Sequence, residues 1–88
     1  MDKTILKLFI VPGAARSSAA LAAARELVDQ GTANDRELVV VDVLQDPGAA
    51  EDENVLATPT LVKAAPLPER RAVGDLSDFR GLIGVLGL

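Results

Sequence analysis

An α/β domain of βαβαββα order is what the sequence predicts, and three observations predict it. A β-branched apolar run, Ile5 to Val11, stops at Pro12-Gly13 and is followed by an Ala-rich helical stretch and a second apolar run, Val39 to Val43. Asp46-Pro47 then starts a short helix, and Pro59 leads into a further strand. The chain closes on a stretch in which Phe79, Leu82, Ile83 and Leu86 fall on one helical face.

Taken in order, Thr4 to Val11 reads as a buried strand interrupted only by Lys7. Ser17 or Ser18 caps a helix that runs to about Gln30, with Leu21, Ala24, Leu27 and Val28 on its apolar face and Gly31 just past its end. Glu37 to Leu44 is a second strand, and its apolar centre predicts a central place in the sheet. A strand–helix–strand unit of this length implies a parallel pair with a right-handed crossover. Asp46 as cap and Pro47 at the first helical position open a short helix, whose early turns Glu51, Asp52 and Glu53 suit. Thr60–Ala64 and Arg70 to Val73 form a hairpin around the turn Pro66-Leu67-Pro68-Glu69. Asp75 and Asp78 are placed to cap the last helix. This is the order of a thioredoxin-like fold, with a parallel half and an antiparallel half.

The last helix carries an internal conflict. Gly81, Gly84 and Gly87 fall within it, and each costs ~1 kcal/mol against Ala in a helix interior. Either the glycines pack closely against a neighbour, or the segment is able to take another form.

Composition bounds the function. The 88 residues make one domain, 1–88, with one modest core, and 49% hydrophobic content makes it globular. Phe9 and Phe79 are the only aromatics, so the core is aliphatic and the domain marginally stable. A net charge of −4 argues against a nucleic-acid or anionic-membrane surface. With no Cys and no His, thiol redox chemistry, Ser–His triads and Cys/His zinc sites are excluded. The loop Pro12-Gly13-Ala14-Ala15 lacks the glycine spacing and lysine of a phosphate loop. Consecutive acids at Glu51, Asp52 and Glu53 point in different directions and make a poor metal site. No catalytic residue, cofactor or metal is therefore expected. The start, Met1-Asp2-Lys3-Thr4, has no signal-peptide character, and the first apolar run is too short to span a bilayer, so a cytoplasmic location is expected.

Several blocks resemble one family. Leu6-Lys7-Leu8-Phe9-Ile10, Val41-Asp42-Val43-Leu44-Gln45-Asp46-Pro47, Val55-Leu56-Ala57-Thr58-Pro59-Thr60-Leu61, Arg70-Arg71-Ala72-Val73-Gly74-Asp75-Leu76-Ser77-Asp78 and Leu82-Ile83-Gly84 are similar to successive segments of the KaiB clock proteins. The resemblance spans essentially the whole chain. It implies a non-enzymatic adaptor that binds a KaiC-like ATPase ring in a thioredoxin-like state, with KaiA-like proteins or a sensor histidine kinase as further partners. It also implies a second fold, of βαββααβ order, and a homo-oligomer, dimer or tetramer. An alternative is a sensor-type module like the SasA N-terminal domain.

Residue by residue, the resemblance assigns partner binding to Lys63, Arg70, Arg71, Thr58 and Pro59. It assigns fold switching to Pro59, Pro66, Pro68, Gly84 and Leu86. It further implies a cis bond before Pro59. The chain departs from the family pattern at Pro12, Ala19, Asn54 and Leu86. Leu86 stands where the pattern has aspartate and adds apolar surface to the last helix, which is expected to favour the thioredoxin-like form. Arg70 and Arg71 are adjacent on a strand, so their side chains point to opposite faces. Without the resemblance they read as charges guarding an edge strand.

Overall fold

A computed structural model of the chain describes residues 3–30 and 35–88. The elements are β1 (Thr4–Ile10), α1 (Ala15–Gln30), β2 (Arg36–Asp42), α2 (Pro47–Asp52), β3 (Thr60–Ala65), β4 (Arg70–Val73) and α3 (Phe79–Leu86). They form one four-stranded sheet of order β2-β1-β3-β4. β1 and β2 run parallel, while β3 is antiparallel to β1 and β4 antiparallel to β3. This is the predicted βαβαββα thioredoxin-like order; the alternative βαββααβ order is not the one adopted here.

Strand alternation sorts the side chains onto two faces. Leu6, Leu8 and Ile10 of β1, Leu61 of β3 and Ala72 of β4 join Ala20, Ala23, Ala24 and Leu27 of α1 in the core. Leu82 and Leu86 of α3 complete it. The inner side of α1 is mostly alanine, which lets the helix lie close to the sheet. The opposite face carries Lys7, Phe9, Val39 and Val41, over which Ala49, Asp52 and Glu53 form a recess at the end of α2. The helices α1 and α3 therefore cover one face and α2 the other.

Several local expectations need correction. α1 begins at Ala15, before either candidate serine cap. Ser17 is buried, and its Oγ instead accepts the N–H of Val11 at 3.1 Å, tying the strand end to the helix. β2 is an edge strand, not a central one. Its apolar run reports partial cover on two faces and carries no information on how many neighbours pair with its edges. It ends at Asp42, whose carboxylate accepts the N–H groups of Leu44 and Gln45 and turns the chain.

The Asp46 cap and Pro47 start are as expected, the Asp46 carboxylate accepting from Ala49 N at 3.1 Å. That helix is only six residues long, so Glu51 and Asp52 fall at its end and Glu53 is its C-cap. Asp78 caps α3 by accepting from Arg80 N, whereas Asp75 closes a turn with Ser77. Gly87 lies past the helix as its left-handed C-cap, φ 70°. Close packing does not account for Gly84, because a Cβ there would meet nothing within 4 Å. Gly31 and the side chain of Phe79 lie outside the described residues.

Candidate partner-binding surface

The residues singled out in the sequence do not converge on one spot. Thr58 and Pro59 sit just before β3, while Lys63 and Arg70 pair across β3 and β4 toward the far end of the sheet. The Thr58–Pro59 bond is cis, as are Ala65–Pro66 and Leu67–Pro68 in the turn between β3 and β4. Pro59 is buried, and its carbonyl accepts the N–H of Gly74, which locks the start of β3 to the end of β4.

Lys63 and Arg70 share the face that carries the core. Lys63 is 5% exposed. Arg70 is exposed, and its Nε lies 3.7 Å from the place a Cβ would take at Gly87. Its guanidinium thus stands at the C-terminal end of α3, where the partial negative charge of the helix end favours a cation. Leu86 is fully buried in the core from that same helix, and Gly84 is exposed on its outer side.

Arg71 points the other way, onto the α2 face. Lys7, Val62 and Arg71 occupy one row across β1, β3 and β4. Glu53 closes over that row: its carboxylate lies 2.8 Å from Lys7 Nζ and 3.7 Å from an Arg71 nitrogen. Glu69 adds a contact to Arg71 Nε at 3.1 Å. The two arginines do face opposite sides, and Arg71 is held by carboxylates of its own chain while Arg70 is presented outward.

The end of the sheet near Pro59 holds a feature that the residue assignments missed. Val11, Val43, Ala50, Val55, Leu56, Ala57 and Thr58 line an apolar recess of about 230 Å³. Leu56 is 97% exposed at its rim and Leu44, nearby in sequence to Val43, is 70% exposed. The signal was present in Val55-Leu56, two large apolar residues in a loop segment with no periodicity to bury them. Among the described residues no cluster of acidic side chains could hold a metal ion, and no helix is long and apolar enough to cross a membrane.

Comparison with known proteins bears on this surface. Residues 7–85 match the KaiB domain family. The circadian clock oscillator protein KaiB of a Prochlorococcus marinus strain is 45% identical over 82 residues, covering 92% of this chain and 70% of that protein. In structure, the chain is similar to the N-terminal domain of Synechococcus elongatus SasA, with a TM-score of 0.75, 25% identity and coverage of 94% of this chain and 82% of that one. A thioredoxin from Halobacterium salinarum aligns with a TM-score of 0.76 at 22% identity, over 97% of this chain and 73% of its own, and shows the shared fold alone.

Proposed function

This chain belongs to the KaiB family, and on that premise we propose that it is a non-catalytic regulatory adaptor that binds a KaiC-like ATPase ring in its thioredoxin-like form. The observation that carries the reading is the match over residues 7–85, joined to a sheet already in the thioredoxin-like order. Thiol chemistry, the usual work of that fold, has no residue to perform it, because the chain has no Cys.

Docking is assigned to Arg70 at one end, beside the largely buried Lys63, and at the other to the apolar rim at Thr58, which the buried Pro59 positions. Arg70 offers an outward guanidinium to an acidic partner surface, and Leu56 offers apolar area that water covers poorly. Arg71 acts more weakly, since Glu53 and Glu69 already hold it. KaiA-like proteins or a sensor histidine kinase are proposed as further partners, the cytoplasm as the place of action, and a dimer or tetramer as the free form. The second fold is assigned to the β3–α3 half, with Pro59, Pro66 and Pro68 at its strand boundaries and Gly84 and Leu86 in α3. Exposed Gly84 weakens α3 as a helix without any packing reason, which supports that assignment.

The likeness to the SasA domain favours a second reading, a sensor-type binding module. The higher identity to KaiB proteins places it second. Size-exclusion chromatography of the protein with a KaiC-like ATPase of its host, in ATP and in ADP, tests the first reading. A slow shift of both proteins into one larger peak is the expected result. Absence of a shift in both nucleotides overturns it.

A further inference from the structure

We propose that α2 is a hinged cover over one face of the sheet, latched by the Glu53 carboxylate. Release of that latch exposes Phe9 and Val62 while the rest of the domain stays folded.

The residues of α2 have little with which to hold the sheet. They are Pro47, Gly48, Ala49, Ala50, Glu51 and Asp52, and none of them is buried. Ala49 and Ala50 are half-buried, and each has one methyl group to set against the strands. Larger groups lie beneath. Phe9 is 1% exposed and Val62 is fully buried, and both stand apart from the core cluster on the other face of the sheet. Phe9, Val39 and Val41 floor a recess of about 280 Å³ whose far wall is Ala49, Asp52 and Glu53. A short helix of small residues therefore covers a large apolar face.

The segment's own bonds are local. Asp46 Oδ1 accepts from Ala49 N, Ala49 O from Glu53 N, Glu51 O from Asn54 N, and Ala50 O from Val55 N. Asn54 has a φ of 54°, the left-handed conformation that Asn tolerates better than most residues, and it ends the helix one position past Glu53. The tie from this segment to the sheet is Glu53, which accepts from Lys7 Nζ at 2.8 Å and lies 3.7 Å from an Arg71 nitrogen. These side chains keep a quarter to a third of their surface exposed, so water and salt reach the latch.

Both ends of the cover are anchored without it. On one side the Asp42 carboxylate holds the turn at Leu44 and Gln45, and on the other Pro59 O accepts from Gly74 N. A self-contained segment with few buried apolar groups, set between two fixed points, is the kind of unit that opens before the domain unfolds. Lys7, Val62 and Arg71 share one cross-strand row, so lifting Glu53 leaves a buried valine between two released cations. The open form thus presents an apolar strip flanked by positive charge, a surface that the closed form hides.

The chain has no Cys, so one introduced thiol is an unambiguous probe. Val62→Cys puts it under the cover and Ala24→Cys puts it in the opposite core, both at fully buried positions and with small changes in volume. Labelling by a chromogenic aryl disulfide is followed without denaturant and at low urea, and each variant's own unfolding midpoint and m-value are measured. Val62→Cys should label about tenfold or more faster than its global stability allows, at a rate that low urea barely changes. Ala24→Cys should label only as fast as global unfolding permits. Adding Glu53→Gln to Val62→Cys should raise the labelling rate about two- to fivefold, the size expected of partly exposed ion pairs. Added salt should narrow the gap between those two proteins. Labelling of Val62→Cys at the global unfolding rate overturns the cover, because α2 then leaves only with the whole domain. Equally fast labelling of Ala24→Cys overturns it too, because the opening is then not confined to this face. Fast labelling of Val62→Cys that Glu53→Gln leaves unchanged overturns the latch.

Discussion

Lys7 and Arg71 flank Val62 in one cross-strand row and share the carboxylate of Glu53. The shared anion fastens the end of α2 to strands at the centre and the edge of the sheet. Without it, Lys7 and Arg71 would present two cations over the same face. All three side chains keep a quarter to a third of their surface exposed, so solvent screens the attraction. Glu53→Gln should therefore cost about 0.5–1 kcal/mol, read as a lower urea midpoint at unchanged m-value. A loss below the error of the extrapolation would mean that the pairs contribute nothing.

Gly84 offers the opposite case. It is exposed within α3, and a Cβ there meets no atom within 4 Å. Gly84→Ala should raise stability by up to ~1 kcal/mol through helix propensity alone. If α3 must rearrange to reach a second fold, the same variant should also populate the thioredoxin-like form more fully, visible as fewer amide peaks in slow exchange by NMR. Destabilisation by Gly84→Ala would contradict the structure of this helix.

Leu86 is fully buried among aliphatic side chains. Leu86→Ala should cost ~2–4 kcal/mol, a large part of what so small a domain has. Leu86→Asp should cost more, because it buries a carboxylate in the core. Thermal melts followed by far-UV circular dichroism check the order wild type, Leu86→Ala, Leu86→Asp. Equal midpoints for the three would mean that α3 does not pack as described.

The element order was legible in the sequence because each element has its own punctuation: Pro12-Gly13 after the first strand, Asp46-Pro47 before the short helix, Gly74 to Asp78 before the last. What was not legible depends on tertiary pairing. Val39 to Val43 reads as a central strand because apolar runs report cover on the faces, whereas strand order is settled by which edges meet. Ser17 looks like a cap by local spacing, yet Val11 N, six residues back, claims its hydroxyl. Gly87 counts as helical by sequence position and becomes the cap only once its φ is known to be positive. Of the candidate binding residues, Arg70 and Arg71 have opposite orientations, as strand alternation required. The capture of Arg71 by Glu53 does not follow from alternation, because it spans 18 residues of chain and needs α2 folded over the sheet.

Asp75 gives a pH-dependent test of the turn before α3. Its carboxylate accepts from Ser77 Oγ at 2.7 Å and from Ser77 N at 3.1 Å. These bonds hold its pKa below the ordinary carboxylate value, the hydroxyl contributing most. A carboxyl group with a lowered folded-state pKa contributes stability above its unfolded pKa and loses it as pH falls through the folded one. Ser77→Ala should raise the Asp75 titration midpoint toward the ordinary value and leave part of the depression, since the backbone bond remains. Carboxyl carbon chemical shifts followed by NMR across the acid range check this. An unmoved midpoint would mean that the hydroxyl does not bond the carboxylate in solution.

Arg70 and Arg71 are neighbours in sequence but should separate cleanly in experiment. Arg70 is outward beside the end of α3, with no carboxylate of its own chain set against it among the described residues. Arg71 sits between Glu53 and Glu69. Arg70→Glu should leave the fold intact and weaken the complex with a KaiC-like ATPase by at least tenfold, about 1.4 kcal/mol. Arg71→Glu should act first on the folded protein, because it turns two attractions into repulsions at one point of the sheet. Its urea midpoint should drop while Arg70→Glu keeps the wild-type value. Affinity measured by fluorescence anisotropy of a labelled chain, with both midpoints in hand, separates the two effects. If Arg70→Glu binds as tightly as wild type while Arg71→Glu loses affinity with an unchanged midpoint, the partner approaches the α2 face, and the docking surface must be moved there.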